Sequence, residues 1–192
     1  VNLKKIIALF AAGGATKRFH TQETTRENTV GHHSYGVAWF CYVLTKGKPS
    51  AAMLMHALAH DVTECVVGDV PAPTKKLRGI GEQMAVLEEH VLRWGGVVLP
   101  ELNPCEERLV KLADYLDGLL FTIMELRRGN AALAGCHANY LAYISEFVEY
   151  GDEHEQLVFE IVAKLRTDDH VWPGQSGHWY QRFQEWREEV HV

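Results

Sequence analysis

Apolar residues recur along this chain at the spacing of an α-helix, and the alternation that marks a half-buried strand is missing. Leu3, Ile6, Ile7 and Phe10 form a first stripe. Val37, Phe40, Cys41 and Leu44 form a second, ending near Gly47 and Pro49. Leu54, Leu58, Val62 and Cys65 read as a third helix, stopped by Gly68, Pro71 and Pro73. Ile80, Met84, Leu87 and Val91 form a fourth, stopped at Gly95-Gly96. The next start is signalled by Asn103 as a cap, Pro104 in the first turn, and Glu106 and Glu107 at the positive end of the dipole. That helix runs through Leu109, Leu112, Leu116, Leu119 and Ile123 towards Gly129. Tyr140, Leu141, Ile144 and Phe147 follow, then Leu157, Ile161 and Leu165, and a tail with Trp179, Phe183, Trp186 and Val190. The pattern predicts an all-α fold, a single compact domain over 1–192 built as a bundle of about seven or eight helices. A chain of 192 residues can bury a core of that kind.

Composition removes several function classes. No apolar run approaches the ~20 residues of a membrane span, so no membrane partner is expected. The apolar start at Ile6–Ala12 resembles a leader only in its hydrophobicity. Lys17 and Arg18 follow without a convincing cleavage region, and the segment is expected to be a first core helix. Cys41, Cys65, Cys105 and Cys136 are scattered among apolar neighbours with no C-x-x-C, as buried free thiols are, which points to a reducing compartment and a cytoplasmic location. A net charge of −6 argues against a broad basic surface for a nucleic-acid polymer. It leaves room for a local basic pocket.

The informative residues are the ionisable ones on apolar faces. His33 lies one turn before Val37 and shares its face; alone, it reads as a hydrogen-bonded core histidine. The pair His60-Asp61 stands inside the third stripe, after Met55-His56-Ala57-Leu58-Ala59, where two ionisable groups are costly unless paired or bound to metal. Glu64 follows at i+4 from His60 and i+3 from Asp61, so the three can converge on one side of one helix. Asp114 interrupts a leucine-rich helix, and a salt bridge to Lys111 at i−3 would explain it equally well. Together, two imidazoles and two carboxylates on three helices can hold one divalent metal with positions left for water and substrate.

These residues carry a resemblance. His33, His60-Asp61 and Asp114 resemble the H…HD…D signature of the HD-domain phosphohydrolases. Arg26-Glu27-Asn28-Thr29-Val30-Gly31-His32-His33-Ser34 resembles a segment of bacterial 5′-deoxynucleotidases, with His32 standing where that family has glutamate. His60-Asp61-Val62-Thr63-Glu64, Gly68-Asp69-Val70-Pro71-Ala72-Pro73-Thr74-Lys75 and Leu109-Val110-Lys111-Leu112-Ala113-Asp114 are similar to three further segments of it. The opening Gly13–Thr21, with Lys17-Arg18-Phe19, is closer to small phage enzymes that remove the triphosphate from dATP.

The resemblance implies a metal held by His33, His60, Asp61 and Asp114, with Glu64 orienting water or handling a proton. Mixed imidazole and carboxylate ligation suits Zn²⁺, Co²⁺, Mn²⁺, Ni²⁺ or Fe²⁺, and a second ion, Mg²⁺, would accompany the triphosphate. Arg18 is a phosphate clamp through its planar fork. Phe19 is expected to pack on the base or sugar, where related 5′-deoxynucleotidases use tryptophan to exclude ribose. Asp69 is expected to bind the sugar 3′-hydroxyl; an Asx-type turn explains it as well. Lys75 and Lys111 are further phosphate contacts, and Lys75-Lys76 with Arg78 would suit a polyanion. The expected partner is a small deoxynucleotide, dATP above others, and the expected assembly is a homo-oligomer, dimer or hexamer. A 5′-deoxynucleotidase acting on dNMPs uses the same ligands. A non-catalytic nucleotide-binding regulator would have no use for Glu64 beside a complete ligand set.

Overall fold

The computed structural model describes residues 2–75, 77–148 and 154–167. Helices account for all regular structure among them: α1 (Leu3–Ala15), α2 (Val30–Leu44), α3 (Ala51–Ala59), α4 (Glu64–Val67), α5 (Ala72–Lys75), α6 (Ile80–Gly95), α7 (Pro104–Arg127), α8 (Ala134–Val148) and α9 (Glu155–Thr167). Seven span nine residues or more, and α4 and α5 are single turns. The tail from Trp179 to Val190 lies outside the described residues, as does Lys76.

α7 is the axis of the bundle and packs against α2, α3, α8 and α9. Its start is the one the sequence announces. Asn103 Oδ1 accepts the Glu106 N–H at 3.0 Å, and Glu106 Oε2 accepts the Asn103 N–H at 3.0 Å, a reciprocal capping box with Pro104 in the first turn. Leu116 and Leu119 of α7 are fully buried against Val37, Cys41 and Leu44 of α2 and Met53 and Ala57 of α3. Truncating Leu116 to alanine would cost about 2–5 kcal/mol, the range for a leucine removed from a close-packed core.

α1 packs on α2, α4 and α6 around a second, smaller core of Leu9, Val62 and Val91. Its expected apolar stripe is not the buried face, since Leu3, Ile7 and Phe10 are exposed and Leu9 and Gly13 are buried. Gly13 is needed there, because a Cβ would stand 2.4 Å from Val62 Cγ2 and 2.6 Å from the Val62 carbonyl oxygen. Cys105 departs from the buried-thiol expectation. All four cysteines are free, Cys41 is buried, but Cys105 is exposed in the first turn of α7.

The third predicted helix is broken. α3 ends at Ala59, and α4 begins at Glu64. Between them the Val62 N–H bonds to Ala59 O and the Glu64 N–H to Asp61 O, three-residue spacings that tighten the turn. Its buried residues are Met53, Ala57 and Val62, while Leu58 is exposed. The apolar stripe could not show this, because three-residue and four-residue steps both satisfy it.

Candidate metal centre

α2 and α7 build the deep half of the centre. Thr29 caps α2 by accepting the His32 N–H, and His33 follows in the first turn with no solvent exposure. Its Nδ1 lies 2.7 Å from Asp117 Oδ2, one turn along α7 from Asp114. The approach is close enough to require Gly36, where a Cβ would stand 1.8 Å from Asp117 Oδ1. Burial pushes the Asp117 carboxyl up to about 7, with the Asp114 charge adding to it and Arg18, Arg26 and His60 opposing it. Asp114 sets Oδ1 3.2 Å from His33 Nε2 and Oδ2 2.6 Å from Lys111 Nζ. The two explanations for Asp114 therefore hold together. Burial works against its charge, and Lys111, His60 and Arg18 outweigh burial and hold it below the ordinary carboxylate value.

The turn between α3 and α4 supplies the other half. His60 Nδ1 lies 3.1 Å from the Ala57 carbonyl oxygen. A carbonyl can only accept, so Nδ1 carries a proton, and in the neutral imidazole Nε2 is a bare lone pair. That lone pair faces His33 Nε2 at 3.2 Å, and Asp61 Oδ2 lies 3.4 Å from His60 Nε2 and 3.5 Å from His33 Nε2. These three donor atoms fall within 4.8 Å of one another. With both imidazoles neutral and bare at Nε2, these atoms are acceptors that repel unless a cation lies among them. Donors 2.0–2.1 Å from a tetrahedral Zn²⁺ stand about 3.3 Å apart, close to the spacing seen here. His33, His60 and Asp61 fit a divalent ion, and Asp114 Oδ1 lies beside them, 3.2 Å from His33 Nε2.

Glu64, at the start of α4, is 3% exposed. Its Oε1 pairs with Lys75 Nζ at 3.3 Å, and its Oε2 is buried without a hydrogen-bond partner. Burial, with Asp61 and Asp69 adding their charges, pushes this carboxyl up to about 8 against the pull of Lys75 and Arg18. Lys111 likewise spends its ammonium on Asp114 and lies 4.9 Å from the centre of the Tyr115 ring. Lys17 pairs with Glu27 at 3.1 Å. Lys75 and Lys111, expected as phosphate contacts, are thus each engaged by a carboxylate.

The remaining expected contacts sit on the segment between α1 and α2. Its neck is closed by a bridge between Lys17 and Thr29, with the Arg18 N–H donating to Asn28 O at 2.9 Å. The Arg18 side chain is 9% exposed and reaches towards Asp61, Nη1 to Oδ2 3.9 Å. Burial opposes its charge, but Asp61, Asp114 and Asp69 outweigh burial and keep it protonated. Phe19 adopts a left-handed backbone, φ 54°, and donates its N–H to Asp69 Oδ2 at 2.8 Å. Its ring stacks on Phe121, centroids 4.7 Å apart. One Asp69 oxygen is therefore engaged by the chain itself.

Three residues here were missed by the sequence reading. Asp117 had a signal, a second aspartate at i+3 from Asp114 in a leucine-rich helix. Tyr140 of α8 packs on the bare backbone of Gly118, and burial raises its phenol, with Asp114 and Asp69 adding to it and Arg18 opposing. Glu125, fully buried near the end of α7, gave no local signal.

An HD-domain family model matches residues 15–91. A dATP triphosphohydrolase from Salmonella phage PMBT28 is 29% identical over 145 residues, 67% of this chain and 73% of the relative. Among solved structures, the cyanophage S-2L HD phosphohydrolase DatZ, bound to dA and one catalytic Zn²⁺ ion, superposes with a TM-score of 0.68 at 19% identity, over 84% of this chain and 96% of that one. A protein from Pyrococcus horikoshii superposes at 0.63 with 22% identity, over 85% and 98%. An HD-domain phosphohydrolase from Listeria innocua superposes at 0.59 with 19% identity, over 84% and 99%. The matched segment holds His33, His60-Asp61 and Glu64 in their expected order, and over it the chain is similar to the HD-domain family.

Proposed function

We propose that this protein is a divalent-metal-dependent phosphohydrolase that cleaves dATP between Pα and the 5′ oxygen, releasing deoxyadenosine and inorganic triphosphate. The observation that carries the reading is the pair of imidazole Nε2 atoms facing each other at 3.2 Å beside Asp61, with buried Glu64 one turn away. The phage relative supports dATP as the substrate. His33, His60, Asp61 and Asp114 hold the ion; the cyanophage structure, which contains Zn²⁺, supports a transition metal. When bound, such an ion polarises the α-phosphate and activates water.

The chain's own groups do the rest. Arg18 is positioned to clamp the α-phosphate through its fork. Glu64 handles a proton: water loses one as it attacks Pα, and the departing 5′ oxygen gains one. The second Asp69 oxygen is left for the sugar 3′-hydroxyl, and the Phe19 face opposite Phe121 for the sugar or base. Lys75 and Lys111 act first on Glu64 and Asp114 and reach phosphate only by exchanging those partners. Mg²⁺ accompanies the triphosphate as its counter-ion. We place the reaction in a cytoplasm, the host's if the chain is phage-encoded. No helix among the described residues is long and apolar enough to cross a membrane. We take the assembly to be a homo-oligomer, dimer or hexamer, to be read by analytical ultracentrifugation.

One observation favours a second reading. Lys17, Lys75 and Lys111 are each paired to a carboxylate and so less available to β and γ phosphates, which suits a 5′-deoxynucleotidase acting on dNMPs. Product analysis decides. The purified protein is expected to convert dATP to deoxyadenosine and triphosphate, with dAMP turned over more slowly, on a column that resolves deoxyadenosine, dAMP and dADP. Faster turnover of dAMP than of every dNTP would establish the monophosphatase instead.

A further inference from the structure

α7 carries more than metal chemistry. Asp114, Asp117, Phe121 and Glu125 recur at three- and four-residue steps, which places them along one face of the helix. The first two meet His33. The last two meet the segment that carries Arg18 and Phe19. Glu125 has no solvent exposure, yet it is a carboxylate surrounded by donors. Its Oε2 accepts the Thr25 N–H at 2.6 Å and Asn130 Nδ2 at 2.8 Å; its Oε1 accepts Thr25 Oγ1 at 2.7 Å and lies 3.6 Å from Arg128 Nη1. Asn130 Nδ2 also donates to the Glu23 carbonyl at 2.8 Å, on the same segment. Beside it, Arg26 lies over the Phe121 ring at 5.1 Å and donates to Met124 Sδ at 3.4 Å.

We infer that Glu125 is a positioning residue for the substrate groups. It fixes the tip of the 16–29 segment to the same helix that carries Asp114, and so sets where Arg18 and Phe19 stand relative to the metal donors. This rests on the proposed phosphohydrolase reading. Besides the Asn130, Arg26 and Phe121 contacts, hydrogen bonds hold the segment at its neck between Lys17 and Thr29, at Phe19 by Asp69, and at Thr25 by Glu125. The last refers the segment to α7 through bonds to a buried carboxylate, which are charge-assisted and of the stronger kind. Removing it leaves the phosphate clamp attached but misplaced, and small misplacements of a positioned group cost rate steeply.

The test uses Glu125→Gln. Every neighbour within bonding distance is a donor, so glutamine must turn an NH₂ towards one side of the ring and break it. Expected results are full metal content, KM for dATP raised about 10-fold, and kcat lowered less. A structural fault would act independently of Arg18, so the decisive measurement is a cycle with Arg18→Ala. Glu125→Gln should lose about 10-fold in kcat/KM alone but less than about 2-fold on the Arg18→Ala background, since the group it positions is gone. Equal losses on both backgrounds overturn the inference. Amide hydrogen exchange reads the tether without any substrate: Thr25 and Phe19 N–H should exchange faster in Glu125→Gln, and unchanged Phe19 protection also overturns it. If the unmodified protein hydrolyses no deoxynucleotide, the functional reading fails, and the exchange result still decides whether Glu125 holds the segment.

Discussion

The two histidines of the centre are held in opposite ways. His33 sits inside a continuous helix, is fully buried, and is oriented by a carboxylate from another helix. His60 sits where a helix breaks, its side chain is 20% exposed, and it is oriented by a carbonyl one turn back in its own chain. The first arrangement depends on two helices packing correctly, which is why Gly36 must admit Asp117. The second depends on a local turn, which α1 steadies by laying Gly13 on Val62. A deep, packed half gives a donor with fixed direction and raised basicity. A turn-held half brings Asp61 and Glu64 in quick succession, so that in the proposed reading ligand and proton carrier come from one short segment. In the proposed reading both halves hold the metal, and only the turn-held half also carries the group that serves the reaction.

Substitutions in each half put that division to the test. The largest effect is expected from removing a donor. His60→Ala and Asp114→Ala should each lose the metal and all activity, because the remaining bare donors cannot retain it. Elemental analysis of the purified variants checks this. Full occupancy in Asp114→Ala with loss in His60→Ala would reduce the centre to the three donors His33, His60 and Asp61, and leave Asp114 to its bond with Lys111. Next in size is Glu64→Ala, expected to keep the metal and bind dATP while kcat falls by roughly 10²-fold, the usual worth of acid–base help. An unchanged kcat would make Glu64 a structural partner of Lys75. Asp117→Asn should follow, weakening metal affinity by about 10-fold through a less basic His33, while the fold melts cooperatively. Competition with a chelating dye measures it; affinity unchanged from that of the unmodified protein would show that packing alone orients His33.

What could be read from the sequence divides along similar lines. The capping box at Asn103 and the buried stripe through Leu112, Leu116 and Leu119 were legible, because both are encoded within a few residues. His33, His60, Asp61 and Asp114 stood out as charge on apolar faces; the structure clusters the first three and sets Asp114 against His33. The break after Ala59 was not legible, since it changes hydrogen-bond spacing and leaves the apolar pattern intact. The exposed Leu3, Ile7 and Phe10 show the limit of periodicity on α1, where a stripe two residues off the buried one scores as well. Glu125 was the hardest. In Met124-Glu125-Leu126-Arg127-Arg128 it looks like the solvated end of a helix, and its main partner, Thr25, lies 100 positions away.

The smallest effect concerns Lys75, and it turns on which half of the centre that lysine serves. Read from the sequence, Lys75 belongs with a basic run awaiting a polyphosphate. In the structure its ammonium lies 3.3 Å from Glu64 Oε1. Burial opposes its charge, and Glu64 and Asp61 outweigh burial and keep it protonated. A lysine committed in this way acts on every substrate through Glu64. Lys75→Met should therefore slow dATP and dAMP by the same factor, about 2- to 5-fold, with metal content unchanged; loss of one charge-assisted bond at a half-exposed lysine does not warrant more. Steady-state kinetics on the two nucleotides, measured side by side, distinguish the roles. A loss confined to dATP would mean that Lys75 leaves Glu64 when the triphosphate arrives, and would move it from the proton-handling side of the turn to the phosphate-binding side. Equal losses would fix it beside Glu64 and leave the distinction between dNTP and dNMP to groups nearer Arg18.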